Sequence, residues 1–238
     1  MAEGSPTFAL IVAGGKGLRM GSQVPKQFFE INGRQILART LDAFLNSELF
    51  TQIFVAVHPE VAPGMQEWLQ KNFPGNTSIQ IASGGKERVH SVHNGLQAIK
   101  AFCIEQKISN PLVAIHDGVR PFVGKKLLKA SMVLATEKGN AVVAVPVKSS
   151  MRMIQPGGNS IAIDRSLFFH VQTPQVFRLD EILSCYENRP SDNFTDDASL
   201  AESFGIRIWL SEGSYDNLKI TTREDLAQAE VILQQQNS

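Results

Sequence analysis

The chain has 238 residues, 43% of them hydrophobic and 19% charged, which is the composition of an ordinary globular protein with a sizeable core. Its 23 basic and 23 acidic residues cancel, so it lacks the overall positive charge that non-specific nucleic-acid binding needs. No apolar run approaches the roughly 20 residues of a membrane span, and Cys103 and Cys185 form no CxxC motif, so we expect a cytoplasmic protein without a disulfide framework.

Short apolar runs alternate with helical patterns along the first 150 residues. Several of these runs are apolar at consecutive positions, which is typical of strands covered on both faces of a parallel sheet. The predicted strands are 8–12, 52–57, 78–82, 112–116 and 141–147. The predicted helices are 35–47, 60–73, 87–101 and 124–138. This alternation indicates a doubly wound α/β sheet.

The alternation stops after Pro146. The segment 148–170 contains two short β-like pieces around a Gln-Pro-Gly-Gly-Asn turn, which predicts a hairpin that can project as an arm. Beyond it we predict helices at 179–187 and 196–204, a strand at 206–210 and a last helix starting near Thr222. Because no linker or repeat interrupts the chain, we expect one domain over 1–238 with this excursion.

A glycine-rich loop, "AGGKGLRMG", follows the first predicted strand directly. It fits neither the Rossmann fingerprint nor the P-loop pattern. Glycines let a backbone approach a ligand, and their amides can surround an anion. Three cations, Lys16, Arg19 and Lys26, lie in or behind the loop, so it can hold a polyphosphate. The alternative is an ordinary turn with solvated lysines.

Other polar residues follow later strands. "HDGVRP" puts Asp117 and Arg120 just beyond the predicted strand 112–116, where open α/β sheets bind their ligands. A second glycine-basic loop, "SGGKERVHS", lies at 83–91, and "YDNLKITT" places Lys219 in a strand-like piece. We expect His116 to be a hydrogen-bonded structural histidine and not a catalytic base.

Together these segments resemble the 2-C-methyl-D-erythritol 4-phosphate cytidylyltransferases of isoprenoid biosynthesis. The matching pieces span nearly the whole chain in family order: "AGGKGLRMG", "PKQF", "GGKERVHSV", "HDGVRPF", "DRS", "QTPQVF", "FTDDAS" and "DNLKITTREDL". The resemblance implies a Rossmann-like nucleotidyltransferase sheet with helices on both faces and a projecting β-arm at about 147–171. It further implies a homodimer that exchanges these arms, and transfer of CMP from CTP to methylerythritol phosphate with Mg²⁺.

The resemblance also implies three sets of site residues. The catalytic cations are Arg19, Lys26 and Lys219. The nucleotide-binding residues are Ala13, Gly14, Gly15, Gly85, Lys86 and Ser91. The residues for the sugar phosphate are Asp117, Arg120, Ser150, Arg165, Thr173 and Lys219, with Arg165 reaching in from the partner's arm. Asp117 is also the expected acid beside a triphosphate-bound Mg²⁺.

The chain departs from the family pattern at three of these positions. Gly14 stands where the family often has alanine, and Lys86 where an acid is common; both are expected to act through the backbone. Ser149-Ser150 replaces a frequent Asp-Thr at the start of the arm. Ser150 keeps the hydroxyl of the family's threonine but lacks its methyl group.

These residues suit attack by a phosphate oxygen on the α-phosphorus of CTP. The second pKa of a phosphate monoester lies near ~6, so the nucleophile is already ionised at neutral pH and needs no general base. Cations placed at the reacting oxygens stabilise the charge that develops.

Two alternatives stay open at this point. A ribitol-5-phosphate cytidylyltransferase shares the Ala-Gly-Gly loop, although "TDDAS" favours the methylerythritol branch, and a non-catalytic nucleotide-binding module would explain the loop alone.

Overall fold

The computed structural model describes residues 6–14 and 25–236. Within these residues, seven strands form one mixed sheet: β1 (Thr7–Ala13), β4 (Gln52–Val57), β5 (Ile79–Ser83), β6 (Leu112–Asp117), β7 (Asn140–Pro146), β10 (Phe169–Arg178) and β11 (Leu210–Glu212). Their order in the sheet is β11-β7-β10-β6-β1-β4-β5. Two small antiparallel pairs lie outside it: β2 (Glu30–Ile31) with β3 (Arg34–Gln35), and β8 (Met151–Ile154) with β9 (Ser160–Ile163).

Seven α-helices of the described residues flank the sheet. They are α1 (Ile36–Ser47), α2 (Ala62–Asn72), α3 (Arg88–Glu105), α4 (Lys125–Lys138), α5 (Leu179–Glu187), α6 (Asp197–Ser203) and α7 (Arg223–Gln236). Short 3₁₀ helices occur at Lys26–Phe28 and Arg165–Leu167. No helix among the described residues is long and apolar enough to cross a membrane.

The core lies on both faces of the sheet, as consecutive apolar residues in the strands predict. In β1, Phe8 and Leu10 face the cluster built with α3, α5 and α6. Ala9 and Ile11 face the opposite cluster, built with α1, α2 and α4. The α/β fold with helices on both faces is therefore confirmed.

Strand β10 is the longest strand that the sequence analysis missed, and the short pair β2 and β3 was also not predicted. Strand β10 runs antiparallel between β6 and β7 in an otherwise parallel sheet. A proline argues against a central strand because it cannot donate to the ladder. Here the register shifts between Val171 and Gln175, so Pro174 lies in an irregularity of the ladder.

Two predicted strands near the C-terminus were wrong. Of 206–210 only Leu210 is in a strand. The amide of Asn140 bonds the Arg207 carbonyl at 2.9 Å and the Trp209 N–H at 3.0 Å, so a side chain replaces part of the ladder there. The strand-like piece around Lys219 is a loop between β11 and α7.

The hairpin predicted after Pro146 is present as β8 and β9, and it forms a separate two-stranded sheet. Its turn needs glycine, since Gly157 and Gly158 have φ of 95° and 84°. We call residues 147–171 the arm. Large apolar side chains on it are exposed: Met153, Ile154, Ile161, Leu167, Phe168, Phe169 and Val171.

Candidate functional site

A cleft of about 380 Å³ opens at the carboxyl ends of β1 and β6. Its lining comes from five separate stretches of the chain. The lining residues are Val12, Ala13, Gly14, Lys26, Gln27, Lys86, Glu87, Arg88, Asp117, Val119 and Lys219. Six of the predicted site residues therefore meet in one place. We call this space the first compartment.

A second compartment of about 280 Å³ adjoins the first. It is lined by Arg88, Asp117, Arg120, Val171, Gln172, Thr173, Gln175, Thr195, Asp196 and Lys219. The predicted phosphate ligands Arg120 and Thr173 belong to this compartment. Three residues, Arg88, Asp117 and Lys219, line both compartments, so two ligands held in them would meet across these side chains.

Asp117 lies at this junction with three cations around its carboxylate. Lys219 Nζ is 2.9 Å from Oδ2, Arg88 Nε is 3.2 Å from Oδ1, and Arg120 Nε is 3.6 Å from Oδ2. Burial alone would raise the pKa of Asp117, but the charges of Arg88, Lys219 and Arg120 outweigh it and hold the pKa well below its usual range. Asp117 is therefore ionised at neutral pH.

Arg88 is the main site residue that the sequence analysis did not single out. Its guanidinium bonds both carboxylate oxygens of Asp197, at 2.9 and 2.8 Å. Asp197 is fully buried and also accepts the Tyr186 hydroxyl at 2.5 Å. Burial would lower the pKa of Arg88, but Asp197 and Asp117 raise it well above its usual value, so the guanidinium stays charged.

Lys26 reaches the first compartment from a 3₁₀ helix. The neighbouring Gln27 is buried, and its Nε2 donates to the Ala13 carbonyl at 2.9 Å. This bond joins the end of β1 to the start of the Lys26 segment, across the ten residues 15–24 whose structure is not described. Gln27 therefore closes the base of the glycine loop.

His116 is a structural histidine, as expected. Its Nε2 lies 3.1 Å from the Arg120 carbonyl, which can only accept, so Nε2 carries the proton. Nδ1 then accepts the Thr173 hydroxyl at 3.1 Å, and that oxygen accepts the Asp117 backbone N–H at 3.1 Å. Burial lowers the pKa of His116 to about 4, so the ring is neutral at physiological pH.

Ser91 joins the two glycine loops and does not line the cleft. It is fully buried, and its Oγ accepts the Gly85 N–H at 3.0 Å and donates to the Glu87 carbonyl at 3.0 Å. A Cβ on Gly14 would lie 2.7 Å from that Oγ. Ser91 therefore positions the backbone of both loops, and neither Ser91 nor Gly85 is among the residues that line the cleft.

The remaining predicted residues are in two groups. Gly15, Lys16 and Arg19 lie outside the described residues. Ser150 and Arg165 are on the arm, both exposed, and the Arg165 guanidinium bonds the Lys148 carbonyl. Neither lines a compartment of its own chain, so their role stays a prediction that depends on a second copy.

Among the described residues, no group of three or more His, Cys, Asp or Glu side chains is placed to hold a metal ion. The Asp117 carboxylate is engaged by three cations. Mg²⁺ in nucleotide enzymes is typically held by one or two carboxylates together with substrate phosphates. The donor set therefore fits a Mg²⁺ that arrives with a triphosphate rather than one held by the protein alone, and the ligand role of Asp117 stays a prediction.

Residues 7–235 match the family model of 2-C-methyl-D-erythritol 4-phosphate cytidylyltransferase (IspD). The protein of that name from Clostridium acetobutylicum is 41% identical over 229 residues, which cover 94% of this chain and 96% of the relative. The one from Bacteroides fragilis is 38% identical over 225 residues, covering 94% and 98%.

Two crystal structures agree with the fold over nearly its full length. The 4-diphosphocytidyl-2C-methyl-D-erythritol synthase of Anaerococcus prevotii is 28% identical with a TM-score of 0.82, covering 97% of this chain and 96% of that one. The 2-C-methyl-D-erythritol 4-phosphate cytidylyltransferase of Thermus thermophilus is 29% identical with a TM-score of 0.75, covering 96% and 99%.

Proposed function

The chain belongs to the 2-C-methyl-D-erythritol 4-phosphate cytidylyltransferase family, and from this premise and the geometry of the cleft we propose that it transfers CMP from CTP to 2-C-methyl-D-erythritol 4-phosphate. Pyrophosphate is the second product. The observation that carries the proposal is the pair of adjoining compartments that share Arg88, Asp117 and Lys219. A transfer between two phosphorylated substrates needs such an arrangement.

The first compartment is assigned to CTP. Backbone at Ala13 and Gly14 lies on one side of it, and Lys26 and Lys86 bring positive charge. Glycine at position 14 lets the glycine-rich loop pack against Ser91, because a Cβ there would lie 2.7 Å from the Ser91 hydroxyl oxygen. Gly15 and Arg19 extend this assignment into the part of the glycine loop outside the described residues.

The second compartment is assigned to the acceptor phosphate. Arg120 is held by its N–H bond to the Asn217 carbonyl at 2.8 Å, and Lys219 is 41% exposed at its side chain. Lys219 therefore can meet a phosphate oxygen while its ammonium contacts Asp117. Asp117 keeps these cations close to one another by neutralising part of their mutual repulsion.

The chemistry needs charge stabilisation and no general base. The acceptor phosphate is ionised at neutral pH because its second pKa lies near ~6. Its oxygen attacks the α-phosphorus, and the bond to the β-phosphate oxygen breaks with its electron pair. Lys26 and Lys219 stabilise negative charge on the reacting phosphates. Mg²⁺ bound with the triphosphate supplies further neutralisation of its oxygens.

We further propose a homodimer formed through the arm. Seven large apolar side chains of the arm are exposed in the single chain, including Ile154 at 71% and Leu167 at 77%. Apolar surface concentrated on one element in this way is typical of a protein interface. Arg165 and Ser150 would then reach the second compartment of the partner.

A pyrophosphate-release assay tests the function. CTP and Mg²⁺ are mixed with the protein and, in separate wells, with methylerythritol phosphate, ribitol 5-phosphate or no acceptor. We expect turnover with methylerythritol phosphate alone. Turnover only with ribitol 5-phosphate would keep the chemistry and reject the acceptor, and no release in any well would reject the proposed function.

A further inference from the structure

Lys26 lies in a three-residue 3₁₀ helix, Lys26–Phe28. The other two side chains of this helix contact two different parts of the protein. On one side Gln27 bonds the Ala13 carbonyl at 2.9 Å. On the other, the Phe28 ring meets the indole of Trp68 edge to face, with ring centroids 5.7 Å apart and planes at 68°. A single 3₁₀ turn has weak hydrogen-bond geometry, so these side-chain contacts fix its direction.

Trp68 is well placed to anchor this turn, because it is itself fixed. Its Nε1–H donates to the Gln35 side-chain oxygen, directly before α1. Its ring also contacts Phe73, at 6.1 Å between centroids. On the same helix, Met65 and Leu69 are buried in the core cluster under β1 and β4. The indole thus connects the Lys26 segment to α2 and to the start of α1.

An apolar cavity of about 270 Å³ lies beside this contact. It is lined by Phe28, Gln35, Val61, Gly64, Met65 and Trp68. If the indole were replaced by a smaller side chain, Phe28 would lose its partner ring and gain space to move into. Lys26 is two residues away in the same turn, so its ammonium would move with it.

We propose that Trp68 is a positioning residue for the Lys26 ammonium. The inference rests on the proposed function, in which Lys26 stabilises charge on the nucleotide phosphates. Trp68 itself does not line either compartment, so it acts through Phe28. A displacement of about 1 Å at a reacting group can cost about 100-fold in rate, so a partial loss of alignment has a measurable effect.

The test compares the same substitution at the two tryptophans of the chain. Trp209 is also half-buried, but it lies between Lys138 and Arg207 beside β11, away from the cleft. We expect Trp68→Leu to lower kcat about tenfold or more, with KM for CTP changed less than about threefold. Trp209→Leu should keep the kcat of the unmodified protein. Equal kcat in the two variants would overturn the proposal.

A double-mutant cycle separates this inference from the proposed function. If Trp68 acts through Lys26, the variant with both Trp68→Leu and Lys26→Ala has the same kcat as Lys26→Ala alone. If the two losses in kcat multiply in the double variant, Trp68 acts elsewhere. That result would overturn the inference while leaving the proposed function intact. Full kcat in Lys26→Ala would instead reject Lys26 as a catalytic residue, and the inference with it.

Two further variants keep the test valid if Trp68→Leu folds poorly. Trp68→Phe keeps an aromatic ring against Phe28 and should recover kcat to within about threefold of the unmodified protein. Phe28→Leu removes the other ring of the contact and should lower kcat as Trp68→Leu does. A Phe28→Leu variant with unchanged kcat and normal thermal stability would contradict the proposal.

Discussion

A line of polar side chains connects the core to the cleft. The Tyr186 hydroxyl and the Arg88 guanidinium both bond the buried Asp197. Arg88 in turn contacts Asp117, and Asp117 contacts the Lys219 ammonium at the solvent edge. Lys219 is on a loop, so its orientation comes from this line of charges and not from strand geometry.

Asp197→Asn tests the buried end of that line. The substitution keeps the volume but removes the charge opposite Arg88, and breaking a buried ion pair typically costs about 3–5 kcal/mol. We expect urea denaturation to show a loss of that size in the free energy of unfolding. Asp42→Asn is the matched control, because Asp42 pairs with Arg34 at 2.8 Å with its side chain 36% exposed. It should lose less than about 1 kcal/mol, and equal losses would contradict the assignment.

His116 predicts a pH dependence of stability. Its pKa is about 4 in the folded protein and about 6.5 when unfolded, so between these values only the unfolded chain takes up the proton. The free energy of unfolding should therefore fall by about 2 kcal/mol between pH 7 and pH 5. In His116→Gln most of this decrease should disappear, while His90→Gln, which removes a partly exposed histidine on α3, should keep it. A decrease of the same size in His116→Gln and His90→Gln would argue against a buried neutral His116.

The sequence could predict some of these residues and not others. Asp117 and Arg120 follow an apolar strand, where ligands are expected. The sequence pattern therefore predicted that both residues belong to the site. Arg88 and Asp197 are 109 positions apart and pair only after folding. Both lie inside quoted motifs, "GGKERVHSV" and "FTDDAS". Neither motif on its own predicts that the two side chains form an ion pair.

The glycine loops between strands and helices position the nucleotide side of the cleft by close packing. A Cβ on Gly84 would lie 2.5 Å from the Val57 carbonyl oxygen, and one on Gly85 would lie 2.3 Å from the His90 Cβ. Real Cβ atoms do not approach so closely, so alanine at either position must displace backbone. The loop 83–87 is therefore fixed between the end of β4 and the first turn of α3.

Gly85→Ala should disturb this loop. We expect a loss of about 1–3 kcal/mol from overpacking and a higher KM for CTP, because the displaced segment carries Lys86. Gly64→Ala serves as the control: it lies in α2 with nothing within 4 Å of the added Cβ. That substitution should stabilise the protein by about 0.4–1 kcal/mol. Thermal unfolding and steady-state kinetics measure both, and an unchanged KM in Gly85→Ala would contradict this account of the loop.

The elements were predictable where periodicity was strong. The five apolar strands of the first 150 residues were found to within about two residues. Strand β10 was missed because Pro174 within the run argues against a strand. Residues 206–209 were misassigned because the Asn140 side chain, 67 positions from Arg207, takes their hydrogen bonds. The second error comes from a tertiary contact that no local pattern contains, and the first from a proline that the strand accommodates at an irregularity of the ladder.

The whole molecule combines a central sheet with an arm whose apolar side chains are exposed. In the proposed dimer these side chains are buried against the partner, and a charge placed on the arm tests this. Ile154→Asp places a charge on the arm and should convert the dimer to a monomer in analytical ultracentrifugation. Turnover should fall with it, because Arg165 would no longer reach the partner. Ile104→Asp is the matched control, since Ile104 is 67% exposed at the end of α3, away from the arm. A monomeric unmodified protein, or an unaffected Ile154→Asp dimer, would contradict the proposal.

In the proposed function one continuous cleft holds both phosphorylated substrates, so that CMP passes directly between them. Exchange of labelled pyrophosphate into CTP tests whether the transfer is direct. A direct transfer predicts no label in CTP without the acceptor or its CDP product, and rapid labelling once CDP-methylerythritol and pyrophosphate are supplied together. Label entering CTP in a mixture of only the protein, CTP, Mg²⁺ and labelled pyrophosphate would show that CMP is first transferred to the protein, and would contradict direct transfer.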